Sequence, residues 1–145
     1  MKADEFLAVA KNLQMGTREA EWRSAVSRAY YAAFHSALTM ITSCGVRFGK
    51  SSAAHDKLAM CLQNSGNHEV ATAGAKLSSL RAKRNNADYD LQSLAFGSSR
   101  VAETQIAIAE EIIAAVHGRQ ADQPLVAAIR SYAKDLLGLT VTENR

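Results

Sequence analysis

Ala25, Ala29, Ala33 and Ala37 recur at every fourth position within Trp22 to Ile41, a stretch free of proline and glycine. With Trp22, Val26 and Ile41 they form one face of a long helix. A face made largely of alanine lets a neighbouring helix approach closely, and only packing against other helices buries it well. The rest of the chain is consistent with that constraint. Alanine is abundant, Val, Ile and aromatic residues are sparse, and there is one proline in 145 residues. That balance favours helix over sheet. The length suits a single domain with a real core.

Helical periodicity and capping residues predict the remaining elements. Ala3 to Gln14 reads as a short amphipathic helix with Phe6, Leu7, Ala10 and Leu13 inward, ended by Met15-Gly16. Thr17 is the expected N-cap of the long helix, which runs to about Ser43 and closes at Gly45. After the loop "VRFGKSS" come helices over Ala53 to Gln63, over about Glu69 to Ala87, and over Arg100 to Val116. Asp122 and Pro124 open a last helix. No strand pattern, repeat or low-complexity segment is found. The expected fold class is all-α: an antiparallel bundle of four to five main helices over residues 1–118, with a C-terminal helical appendage over 119–145.

Several function classes find no support. The formal charge of +3 is mildly basic, compatible with an anionic partner but far from a polybasic tail. "MKADEFLAVAKNL" carries acids and no continuous apolar core, so it does not read as a signal peptide. No run approaches the roughly 20 apolar residues of a membrane span, and a cytoplasmic location is expected. Cys44 and Cys61 read as free thiols, and the four histidines lack ligand spacing, so no metal is expected. No glycine-rich phosphate loop follows a strand, and no cofactor is implied.

The chemistry concentrates in two places. Beside the alanine seam runs a second stripe, Arg28, Tyr31 and His35. Further on, Ala73, Leu77, Leu80, Arg84, Ala87 and Leu91 fall on one helical stripe, so Arg84 points where its neighbours are buried. Desolvating a guanidinium costs several kcal/mol unless it is paired. Asp88, one turn on, reaches it, as does a tyrosine hydroxyl from the long helix. Arg81, Asn85 and Asp88 flank the stripe and make a polar strip on an apolar surface. That strip is either a buried Arg84–Asp88 pair setting helix register, or a cleft holding an anion at a bundle or dimer seam.

"SAVSRAYYAAFHSAL" (Ser24 to Leu38) followed by "LRAKRNNADYDL" (Leu80 to Leu91) resembles the prokaryotic HEPN family, in its branch of small stand-alone proteins. "SSAAHDKLAMCL" sits where that branch has a helix beginning near a histidine. The likeness covers roughly Lys2 to His117. It implies an all-α homodimer, often encoded beside a minimal nucleotidyltransferase in a toxin–antitoxin-type pair. Active members resemble metal-independent endoribonucleases carrying an arginine, a polar residue and, after a short gap, a histidine. Arg84 and Asn85 match the first two positions, but Tyr89 stands where the histidine belongs, preceded by Asp88.

Cleaving RNA without metal needs a base for the 2′-hydroxyl proton and an acid for the leaving oxygen. Imidazole serves near neutral pH, whereas a tyrosine side chain ordinarily ionises near about pH 10. A carboxylate paired with arginine is a base but no ready acid. His35 or His55 supplies the missing group only if folding brings it to the same cleft. Three readings follow. The first is a dimeric module binding RNA or a nucleotide, or docking a nucleotidyltransferase, through Arg28, Tyr31, His35, Arg81 and Arg84. The second is an endoribonuclease using Arg84, Asn85, Asp88 and Tyr89. The third is a structural helical adaptor.

Overall fold

The computed structural model describes residues 1–50 and 53–143. Ser51 and Ser52, which end the expected "VRFGKSS" loop and begin the third segment of likeness, lie outside the described residues. The chain is an all-α helical bundle. Its helices are α1 (Ala3–Gln14), α2 (Glu19–Ser43), α3 (Ala54–Gln63), α4 (His68–Tyr89), α5 (Ser99–Val116) and α6 (Gln123–Asp135).

α2 is the central helix and packs against α1, α4 and α5. The reason is the alanine face: Ala25, Ala29, Ala33 and Ala37 are all fully buried, with Val26 and Ile41. Trp22, expected on the same face, is only half-buried, and its indole N–H donates to the Gly16 carbonyl at 3.1 Å. Leu58, Leu62, Leu77, Leu80 and Ile112 complete the main core. α3 and α4 approach so closely that a methyl at Gly74 would lie 2.9 Å from the Ala59 carbonyl oxygen and from Leu62 Cβ. Glycine is there for contact, not for a turn.

Helix ends follow local chemistry. Asn67 caps α4 by accepting from the Val70 N–H at 3.1 Å, and Asp122 caps α6 by accepting from Leu125 N–H at 3.2 Å. Thr17 does not cap α2. Arg18 takes the extended N-cap conformation, and the Glu21 carboxylate accepts from its backbone N–H at 3.3 Å and its Nε at 3.0 Å.

Two further differences from expectation bear on the site. α4 ends at Tyr89, so Leu91 leaves the helical stripe and is exposed. The chain also has a small sheet: β1 (Val46–Arg47) pairs antiparallel with β2 (Thr140–Val141). Gly45, at φ +95°, admits this because a side chain there would strike the Thr142 carbonyl. Arg130 Nη1 donates to Cys44 O at 2.8 Å and Thr142 O at 2.6 Å, tying the end of the chain to the end of α2. α6 packs on α3 and adds Leu125, Val126, Ile129 and Ala133 to the main core. Among the described residues no helix is long and apolar enough to cross a membrane.

Candidate functional site

The second half of α4 crosses α2 at Ser27, Tyr30 and Tyr31, and the start of α3 closes over the same place. Arg84 is the centre of the resulting strip. Its Cζ lies 5.1 Å from the Tyr31 ring centroid, 5.5 Å from that of Tyr89 and 6.0 Å from that of Tyr30. Cation–π attraction holds it there. Nη1 donates to Asn85 Oδ1 at 2.8 Å. Nε sits 2.9 Å from Asp88 Oδ2, yet it is an enclosed N–H with no acceptor in line. The Arg84–Asp88 ion pair expected from the sequence is therefore present but half-open, with side chains 15% and 27% exposed. The tyrosine hydroxyl expected on Arg84 is not there: the guanidinium meets ring faces, and the Tyr30 hydroxyl turns to His55.

Asp88 has a second partner, Ser27, whose hydroxyl donates to Oδ2 at 3.0 Å. Arg28 Nη2 in turn donates to Ser27 Oγ at 3.4 Å, and the Arg28 guanidinium lies 5.1 Å from the Tyr31 ring and 5.3 Å from Phe6. His35 is stacked on Phe6 of α1, 5.7 Å between centroids. Burial there pulls its pKa below the ordinary histidine value.

Arg81 points to the other side of the strip, into a cleft of about 220 Å³ between α2, α3 and α4. Tyr30, His55, Asp56, Ser78 and Asn85 line it with Arg81. The Tyr30 hydroxyl is hydrogen-bonded to Nδ1 of His55, and Phe34 stacks on the imidazole at 4.3 Å. Arg81 Nη1 donates to Asp56 Oδ1 at 2.5 Å, and its Nε is enclosed without an acceptor. Burial, and then the cations of Arg81 and Arg84, hold the His55 pKa below its ordinary value. Burial raises that of Tyr30 well above the ordinary phenol value.

The residues singled out in the sequence thus separate into two adjoining groups. Arg28, Tyr31, Arg84 and Asp88 share one side with His35 beneath α1; Arg81 takes the other; Asn85 touches both. Tyr89 is 75% exposed at the last position of α4. Tyr30, Ser27 and Asp56 were not anticipated as part of the strip. Two larger grooves, of about 420 and 470 Å³, lie elsewhere, and none of these residues lines them. Among the described residues no group of three metal-ligating side chains converges.

A family model for the HEPN domain matches residues 1–120. The chain belongs to the HEPN family. Searches of curated proteins and of solved structures return no significant match. In this HEPN chain the strip interleaves the guanidinium groups of Arg28 and Arg84 with the rings of Phe6, Tyr30, Tyr31 and Tyr89. The His55 imidazole and the Tyr30 hydroxyl hydrogen-bonded to it are the titratable pair in the cleft, the imidazole pKa lowered and the phenol pKa raised, each first by burial.

Proposed function

We propose that this HEPN protein is a dimeric cytoplasmic module that binds RNA or a nucleotide along the Arg84 strip. The observation that carries the reading is the Arg84 guanidinium, held among three tyrosine rings with one hydrogen bond and an ion pair out of line. Such a group retains donors for a phosphate, and the rings beside it are stacking platforms. HEPN domains commonly dimerise. Tyr89, Leu91 and Leu94 stand exposed at and after the end of α4, apolar surface that a second copy would cover. The family likeness suggests a minimal nucleotidyltransferase as a protein partner, in a toxin–antitoxin-type or defence pair. The helix α6 is read as an appendage to the bundle, packed on it through Leu125, Val126, Ile129 and Ala133.

A second reading, the metal-independent endoribonuclease, is favoured by the position of His55, an imidazole in the cleft beside Arg81. One experiment separates the two. Wild type, Arg84→Ala and Tyr89→His are assayed for RNA binding and for cleavage in the presence of chelator. The expected result is binding that weakens as salt rises, lost in Arg84→Ala, with no cleavage by any of the three. Robust chelator-resistant cleavage by wild type, abolished by Arg84→Ala, overturns the binding reading and establishes the ribonuclease.

A further inference from the structure

The cleft beside the strip holds a more specific arrangement than general RNA binding requires. His55 is fixed on one edge by the Tyr30 hydroxyl at Nδ1 and on one face by Phe34, while Nε2 has no protein partner among the described residues. Arg81, on the facing helix, has an enclosed Nε without an acceptor and one Nη engaged by Asp56. Asp56 is 72% exposed at its side chain, so its pairing with Arg81 is a surface contact of small net value, readily exchanged. At about 220 Å³ the cleft has room for a phosphate group.

We propose that this cleft is a subsite for a terminal phosphate, held by Arg81 released from Asp56 and by the protonated imidazole of His55. The subsite rests on the RNA-binding reading of the strip, and it adds recognition of a 5′- or 3′-phosphomonoester at the end of the strand. On protonation both ring nitrogens carry hydrogen: Nδ1 donates to Tyr30 Oη and Nε2 to the phosphate. A dianion pairs with two cations here, which an internal phosphodiester, carrying one charge, matches less well.

Binding is then linked to proton uptake. The charged or titratable groups around His55 are Tyr30, Tyr31 and His35 from α2, Asp56 from α3, and Arg81 and Arg84 from α4. Burial and the two arginines disfavour the imidazolium in the free protein. A bound dianion reverses the local charge, so the His55 pKa rises on binding. For a ligand that stays dianionic, affinity is greatest below the free-state pKa and is lost as pH rises through the bound-state value; a phosphomonoester, which itself takes up a proton near about pH 6, binds best close to that pH.

The test titrates the full chain with a 5′-phosphorylated single-stranded RNA and with the same sequence ending in a 5′-hydroxyl, then repeats the pair with a 3′-phosphate. One phosphorylated end is expected to bind roughly tenfold more tightly than its hydroxyl counterpart near pH 6, with the difference fading toward about pH 8. His55→Gln removes the difference; Asp56→Asn, which frees Arg81, enlarges it. Equal affinities for all ends overturn the subsite and leave the strip reading standing. Should no RNA bind at all, the strip reading fails, and inorganic sulfate, a dianion across this range, tests the cleft alone. Calorimetry in buffers of different ionisation enthalpy then reads proton uptake, and its absence, or His55 ring signals that sulfate leaves unmoved, overturns the proposal.

Discussion

Arg23 and Arg84 enter the same interface between α2 and α4 from opposite sides, and their surroundings differ in kind. Arg23 is 6% exposed. Its Nη1 donates to the carbonyls of Asn86, Ala87 and Asp90 at 3.3, 3.0 and 2.9 Å, and Nη2 to that of Ser93 at 3.1 Å. The guanidinium also lies 4.6 Å from the centroid of the buried Phe96 ring. These carbonyls belong to the end of α4 and the loop after it, where the dipole favours a cation; those of Asn86 and Asp90 also accept from the Asp90 and Ser93 N–H groups. Arg84 has three rings, one amide oxygen and a carboxylate out of line. The contacts to backbone carbonyls engage both Nη atoms of Arg23 with the fold, although its Nε, 3.4 Å from the Glu19 carboxylate, is enclosed without an acceptor in line, as is that of Arg84. The Arg84 guanidinium is held mainly among π faces, with a single hydrogen bond, and its proposed binding role rests on that difference.

The sharpest way to break this comparison is Arg23→Ala. It takes the Arg23 donors from the Ala87 and Ser93 carbonyls and removes the cation at the end of α4, a loss of about 3–5 kcal/mol. The melting temperature is expected to fall by roughly 10 °C. Arg23→Lys keeps the charge but not the planar fork, so it recovers only part of the loss. A thermal scan in which Arg23→Ala melts with wild type would show that α4 and its loop hold themselves, and the distinction between the two arginines would collapse.

Arg84→Ala is expected to divide its effect the other way. The pair it breaks is partly exposed and poorly directed, so the stability cost is about 1 kcal/mol, well below that of a fully buried pair. RNA affinity should fall on the order of tenfold, because a charge-assisted phosphate contact is lost. Denaturant unfolding and binding, measured on the same preparation, check this. A loss of stability equal to that of Arg23→Ala, with affinity unchanged, would make Arg84 a second structural arginine.

Much of this was legible in the sequence because it rests on local periodicity. The alanine seam, the cap at Asp122 and the inward stripe from Ala73 to Ala87 are all patterns within a single helix. Arg23 was not legible. In the chain it follows Trp22 as one more polar residue at the start of an amphipathic helix, and its partners are carbonyls 63 to 70 residues away, which carry no side-chain signal. The pairing of Tyr30 with His55 joins residues 25 apart across two helices and was equally hidden, although His55 itself stood out as the only rescue for a missing histidine besides His35. β1 and β2 are two residues each, too short for any alternation to register. Leu91 was assigned to the stripe because periodicity alone does not mark where hydrogen bonding stops, and α4 ends two residues earlier.

The smallest expected effect gives the finest test of what Asp88 does for Arg84. Two readings of that carboxylate are physically distinct. If it holds the guanidinium in position, removing its charge loosens Arg84 and weakens binding. If it is a counter-charge that a phosphate displaces, removing it strengthens binding. The geometry favours displacement: Nε lies 2.9 Å from Oδ2 without a directed hydrogen bond, while the rings of Tyr30, Tyr31 and Tyr89 hold the guanidinium independently of any carboxylate. Ser27 keeps an oxygen acceptor in Asp88→Asn, so the packing between α2 and α4 is preserved. Stability is therefore expected to change by less than about 1 kcal/mol. RNA affinity is expected to rise by about two- to fivefold at low salt, the gain shrinking as ionic strength increases. A fall in affinity at unchanged stability would reverse the assignment, making Asp88 the residue that aims Arg84 and leaving the tyrosines as packing alone.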